Sequence, residues 1–184
     1  MEYKYFNKLE KYMNNKGITN DSELNIGELT LSGSSLSRKE FPNNKLEISK
    51  IPFKLKLDSK FDNLKMMGEI IEVNEKNVES VYLLGCSIHG DIKEKIIVET
   101  EQEVFEWEVL IYDIANNLDS EKLSGFFMTC MNTVNGRSEL LKPKLSIYEF
   151  NLNEKKDIIK IKLPFNPFGH IFAITFREGM VSNV

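Results

Sequence analysis

Apolar residues recur at every second position over short stretches of this chain, and almost nowhere at the spacing of a helix. Between Ile51 and Asp58, the residues Ile51, Phe53, Leu55 and Leu57 fall on one face, while Pro52, Lys54, Lys56 and Asp58 take the other. A period of two describes a pleated strand with one wet side. The same alternation places Phe105, Trp107, Val109 and Ile111 inward from Glu106 and Glu108, and Ile159, Ile161 and Leu163 inward from Lys160 and Lys162. Two runs, Ser80–Ile88 and Gly125–Met131, are apolar throughout and read as strands covered on both faces. Gly27–Leu31, Glu69–Val73, Lys95–Thr100, Leu145–Leu152 and His170–Phe176 complete a set of about ten short strands. Turn clusters at Asn14–Gly17, Ser32–Ser35, Phe41–Asn44 and Asn74–Asn77 separate them.

This spacing predicts an all-β fold, an antiparallel β-sandwich or jelly roll, as one domain over residues 1–184. Phe6, Leu9, Tyr12 and Met13 allow one short N-terminal helix over Phe6–Asn14, and Asn116–Leu123 allows a single helical turn. Pro52 fits an outer strand, and the tail from Arg177 is expected to fray.

A chain of 184 residues with net charge −4 suits one soluble domain and gives no basic patch for nucleic acid or an anionic membrane. The N-terminus lacks the apolar core of a signal peptide, and no run approaches the ~18 apolar residues of a membrane helix. A cytoplasmic protein is the expectation. Cys86 and Cys130 sit in apolar runs and are expected as buried free thiols. Zinc-binding spacings are absent and no cofactor is expected, with calcium on Asn14, Asn15 and Asp21 as the alternative.

The candidate ligand contacts are polar residues at strand ends. His89 and Asp91 flank Gly90 where the Ser80–Ile88 run stops, and imidazole and carboxylate together can hold a hydroxyl pair. Asn132 and Arg137 bracket the polar loop Asn132–Ser138, His170 opens the final strand, and Asn15 stands in the first turn. Trp107, on the inward side of its strand, reads as core, with a sugar platform as the alternative. No nucleophile–base–orienter set and no phosphate-cradling glycine loop can be assembled.

Several phrases in order resemble the jelly-roll accessory domain of bacterial glycoside hydrolases, α-mannosidase and arabinofuranosidase polypeptides among them. They are Asn14-Asn15-Lys16-Gly17-Ile18-Thr19, Leu31-Ser32-Gly33-Ser34-Ser35-Leu36, Glu40-Phe41-Pro42, Ile51-Pro52-Phe53, Asp62-Asn63-Leu64 and Gly68-Glu69-Ile70-Ile71. Leu83-Leu84-Gly85-Cys86-Ser87-Ile88-His89-Gly90-Asp91 and the closing run from Leu163 through Asn166-Pro167 and His170 to Ile174 follow. Tyr112-Asp113-Ile114 departs from that family's Asp-Trp. The resemblance implies a non-catalytic, carbohydrate-binding-like module that meets a glycan or a partner protein through loops at one end of the sandwich. Two alternatives remain beside it: a small enzyme using His89 and Asp91 as an acid–base pair, and a scaffold or interaction subunit. Oligomeric state is left open.

Overall fold

The computed structural model describes residues 2–115 and 124–179, so the helical turn expected over Asn116–Leu123 lies outside the described residues. In chain order the strands are β1 (Glu2–Tyr5), β2 (Ile18–Thr19), β3 (Ser35–Ser37), β4 (Lys45–Ile48), β5 (Ile51–Lys54), β6 (Leu64–Met67) and β7 (Ile70–Ser87). After them come β8 (Ile92–Thr100), β9 (Val104–Ile111), β10 (Gly125–Phe127), β11 (Met131–Thr133), β12 (Gly136–Ser138), β13 (Lys144–Lys162) and β14 (Phe165–Glu178). The fold is all-β and mainly antiparallel. Its only helical pieces among the described residues are 3-10 turns at Asn7–Lys11, Leu24–Ile26 and Arg38–Glu40, none long and apolar enough to cross a membrane.

Two strands dominate. β7 runs for 18 residues and β13 for 19, each joining what reads in sequence as two short strands. The turn expected at Asn74–Asn77 is instead a pair of left-handed residues inside one strand, Asn74 at φ 54° and Asn77 at φ 55°, and β13 carries a third, Asn153 at φ 63°, inside its register slip between Asn151 and Lys156. Asparagine tolerates that region, so the ladder bulges and bends without ending. The β7–β13 register slips between Asn151 and Lys156 and again up to Lys160. That slip also changes the phase of β13, so Ile158 is buried where Ile159 was expected, and Ile159 is only half-buried.

Because β7 and β13 bend at these bulges, one sheet supplies two walls. The far half of β7 pairs with β14 and the near half of β13, with β1 on the outer side of β14; the other halves of β7 and β13 continue into β8 and β9. Between the walls lies an apolar layer containing Val73, Val81, Leu83, Val98, Trp107, Tyr148, Ile161 and Phe176. Trp107 stacks on Phe150 at 5.4 Å and 24°, which confirms its inward face. A second layer, with Leu36, Phe53, Leu55, Tyr82, Leu84, Cys86, Met131 and Phe172, is covered by the small sheet β12-β11-β3-β2 and the β4–β5 hairpin. Pro52 lies in this two-stranded hairpin, as an outer-strand proline should.

Elsewhere the local reading shifts. Phe6–Asn14 makes a 3-10 turn in place of a helix, and Gly27–Leu31 is irregular, with Leu29 buried. The strand forms instead over Ser35–Ser37, just past Gly33, where Leu36 N–H reaches Gly17 O at 2.8 Å. Gly125–Met131 breaks between β10 and β11. Arg177 and Glu178 do not fray; they pair with Tyr3 and Glu2 of β1. Cys86 and Cys130 are free and buried, as expected.

Candidate functional site

The six nominated residues fall in three places. His89 and Asp91 are exposed at the β7–β8 turn, as the glycine break predicts. Gly90 takes φ +80° there and its N–H donates to Asp113 Oδ2 at 2.6 Å. Asp91 Oδ1 accepts the Asp113 N–H at 2.7 Å, and Asp113 Oδ1 accepts the Ala115 N–H at 2.8 Å. Two carboxylates thus hold each other's turns. The His89 ring lies against Phe168, centroids 5.0 Å apart and tilted by 34°.

Asn132 and Arg137 are opposite each other in the β11–β12 hairpin, but Asn132 is buried and Arg137 exposed. Arg137 Nη2 reaches Glu40 Oε1 at 3.2 Å. Burial raises the Glu40 carboxyl, but bonds from Thr129 and Cys130 together with the Arg137 charge outweigh it and hold the group below its ordinary range. Asn132 is buried and donates through Nδ2 to Thr19 O and Oγ1 at 3.0 and 3.1 Å.

His170 and Asn15 meet inside the second layer, through a residue that the candidate set lacks. Asn63 Nδ2 donates to Asn15 Oδ1 at 3.0 Å and to Asp62 Oδ1 at 2.9 Å. With that end of the amide a donor, Asn63 Oδ1 accepts from His170 Nδ1 at 2.8 Å, which places the histidine proton on Nδ1. Asp62, wholly buried, accepts from Gly17 N and Ile18 N at 2.8 and 3.1 Å and pairs with Lys16 Nζ at 3.0 Å. A Cβ at Gly17 would lie 2.5 Å from Asn63 Nδ2; that glycine is required by close approach. Burial lowers the His170 pKa to about 3 and pushes the Asp62 carboxyl upward. Asn15, Asn132 and His170 are therefore joined through the segment Asn15–Thr19, whose Thr19 also bonds Ser35 at 2.6 Å. The calcium alternative finds its three residues spent apart: Asn14 on Lys65, Asn15 in this network, and Asp21 on Lys39.

Directly beneath the β7–β8 turn, the apolar layer ends in polar groups that sequence reasoning did not nominate. Lys144 Nζ lies 5.9 Å from the Tyr112 ring and 5.7 Å from Phe127, with the residue 1 % exposed. Burial draws its pKa down while the Asp91 charge opposes. Ser146 and Tyr148 share its face by strand alternation, and Tyr148 Oη accepts the Tyr112 N–H at 3.0 Å. The Ser87 hydroxyl is buried without a hydrogen-bond partner among the described residues. A signal for this cluster exists in the sequence: Lys144, Ser146, Tyr148, Phe150 and Leu152 keep one phase, and a lysine in phase with core residues is unusual.

No curated protein matches this chain. Residues 7–180 match the family model described as the AziU2-like beta-sandwich domain, nearly the whole of the two-walled body, and the chain belongs to that family.

Proposed function

We propose that this protein is a non-catalytic binding module that takes a glycan at the end of the sandwich formed by the β7–β8 turn. The observation that supports this is the exposed turn itself: an imidazole resting on Phe168, the Asp91 carboxylate beside it, and the partly exposed ring of Phe127 near the same end. Carboxylate and imidazole suit a pair of sugar hydroxyls, and an aromatic face suits the C–H face of a pyranose. The likeness to hydrolase accessory domains favours the same ligand class. Trp107 has no part, being buried against Phe150. Calorimetry with a panel of mono- and oligosaccharides tests it: binding should appear and weaken in His89→Ala, and silence across the panel up to millimolar sugar would remove the reading.

A partner protein is the second reading, and a different place favours it. Leu31, Val134 and Leu140 are 82 %, 56 % and 95 % exposed on loops beside the small sheet, with Val134 touching Gly33. Aliphatic tips of this kind suit a protein surface better than a sugar. Leu31→Asp should abolish such an interaction and leave sugar binding intact.

A further inference from the structure

We propose that Cys86 and His170 hold a single copper(I) ion, bridged between their side chains in the second apolar layer. This does not rest on the glycan reading. The two residues are cross-strand partners in the β7–β14 register, on one face of the sheet, where paired Cβ atoms lie about 4.5–5.5 Å apart. The strands approach closely at this level, since a Cβ on Gly85 would lie 2.4 Å from His170 O. Cys86 is a free, fully buried thiol, and His170 is 1 % exposed.

The histidine is oriented as a metal ligand. Its Nδ1–H donates to Asn63 Oδ1 at 2.8 Å, and Asn63 is bonded in turn to Asn15 and Asp62. An imidazole anchored through one nitrogen keeps its lone pair on the other, which is how second partners set a histidine on a metal. His170 Nε2 is buried without a hydrogen-bond partner among the described residues, and such an atom requires an explanation. Its direction follows from the strand order. β14 lies between β6 and β7, with Lys65 opposite His170 on one side and Cys86 on the other. Nδ1 is turned to the β6 side, where Asn63 precedes Leu64, so the opposite ring edge, which carries Nε2, faces β7 and Cys86.

Charge selects the ion. A thiolate and a neutral imidazole carry one negative charge between them, so a monovalent cation makes the assembly neutral. A divalent ion would leave a net positive charge in an apolar layer, beside a lysine, Lys65, that already disfavours a cationic ring. Thiolate ligation is soft and selects copper(I), which is stable with two ligands in line. Zinc takes four, and among the described residues no third cysteine, histidine or carboxylate completes such a site. Burial pushes the Cys86 thiol up, so its proton leaves only as the metal arrives. The S–H bond breaks, S–Cu and N–Cu bonds form, one proton goes to solvent, and no oxidation state changes. The layer is covered by strands of two and three residues, whose local opening admits the ion.

Copper(I) alone is the probe. It is added anaerobically to the intact chain in competition with the chromophoric chelator bicinchoninate, and copper K-edge absorption reports the ligands. The expected result is one equivalent held by one sulfur and one imidazole nitrogen, with zinc unable to displace it. Cys86→Ser and His170→Gln should each lose the ion, and Cys130→Ser should keep it. The wild-type spectrum decides by itself, so no variant has to fold. Copper left on the chelator, or held by any other ligand set, would overturn the proposal.

Discussion

The two buried layers are held together in opposite ways. Between the walls of the main sheet, aliphatic and aromatic side chains interlock, and buried polar groups are pushed to the ends: Lys144, Ser87 and Ser146 at one, Glu75 and Lys156 at the bulges. Under the small sheet a polar lattice crosses the interior, from Lys16 through Asp62 and Asn63 to His170, and from Thr19 to Ser35 and Asn132. The inner layer is enclosed by long continuous strands whose ladders satisfy their own backbones. The outer layer is closed by strands of two and three residues, too short to hold register by ladder bonds alone, and directional side-chain bonds fix them instead.

The largest effect should come from the inner layer. Phe176→Ala removes a fully buried ring packed against Phe6 and should cost about 3–5 kcal/mol in urea unfolding.

Asn63→Leu attacks the outer layer at its junction. It strips partners from Asn15, Asp62 and His170 together, and should cost about 2–4 kcal/mol by the same measurement. A double-mutant cycle with His170→Gln should show strong coupling, whereas Asn63→Leu and Phe176→Ala should add. Additive behaviour of Asn63 and His170 would mean that the lattice is a set of independent bonds.

Acid sharpens the contrast. His170 has a folded pKa of about 3 against an ordinary 6.5; the folded state binds its proton less well than the unfolded chain. The neutral ring therefore contributes full stability above pH 6.5, and this is lost as pH falls from 6.5 towards 3. Asp62 is shifted upward and works with the opposite sign, since stability gained by a retained proton is lost as pH rises above its unfolded value near 3.8. His170→Gln should flatten the stability–pH curve between 6.5 and 3, measured by denaturant midpoints. An unchanged slope would show that the histidine ionises freely.

The smallest effect lies in the hairpin over the outer layer. Ser49 and Lys50 both take left-handed φ, 51° and 67°, in a two-residue turn that glycine would adopt without strain. Lys50→Gly should stabilise by about 0.5–1 kcal/mol in thermal unfolding.

The wet and dry faces of β5 and β9 and the glycine-broken end at His89 were all legible from side-chain alternation, because a period of two is a local property. The join of β7's halves was not: Asn74–Asn77 has the composition of a turn, and only the facing β13 strand, bulged at the same level, keeps the ladder going. His170 and Asn15 carried the signature of exposed polar residues, and they are buried where Asn63, distant from both in sequence, bonds His170 Nδ1 and Asn15 Oδ1, while His170 Nε2 has no hydrogen-bond partner among the described residues.

What the chain alone determined is its β class, its inward faces and its free thiols, since each follows from the order of apolar and polar residues along a few neighbours. What only the tertiary structure decided is which polar residues lie inside. That depends on partners brought from distant segments, and a buried amide, carboxylate or amine is tolerated only where such partners or enclosing rings are delivered to it.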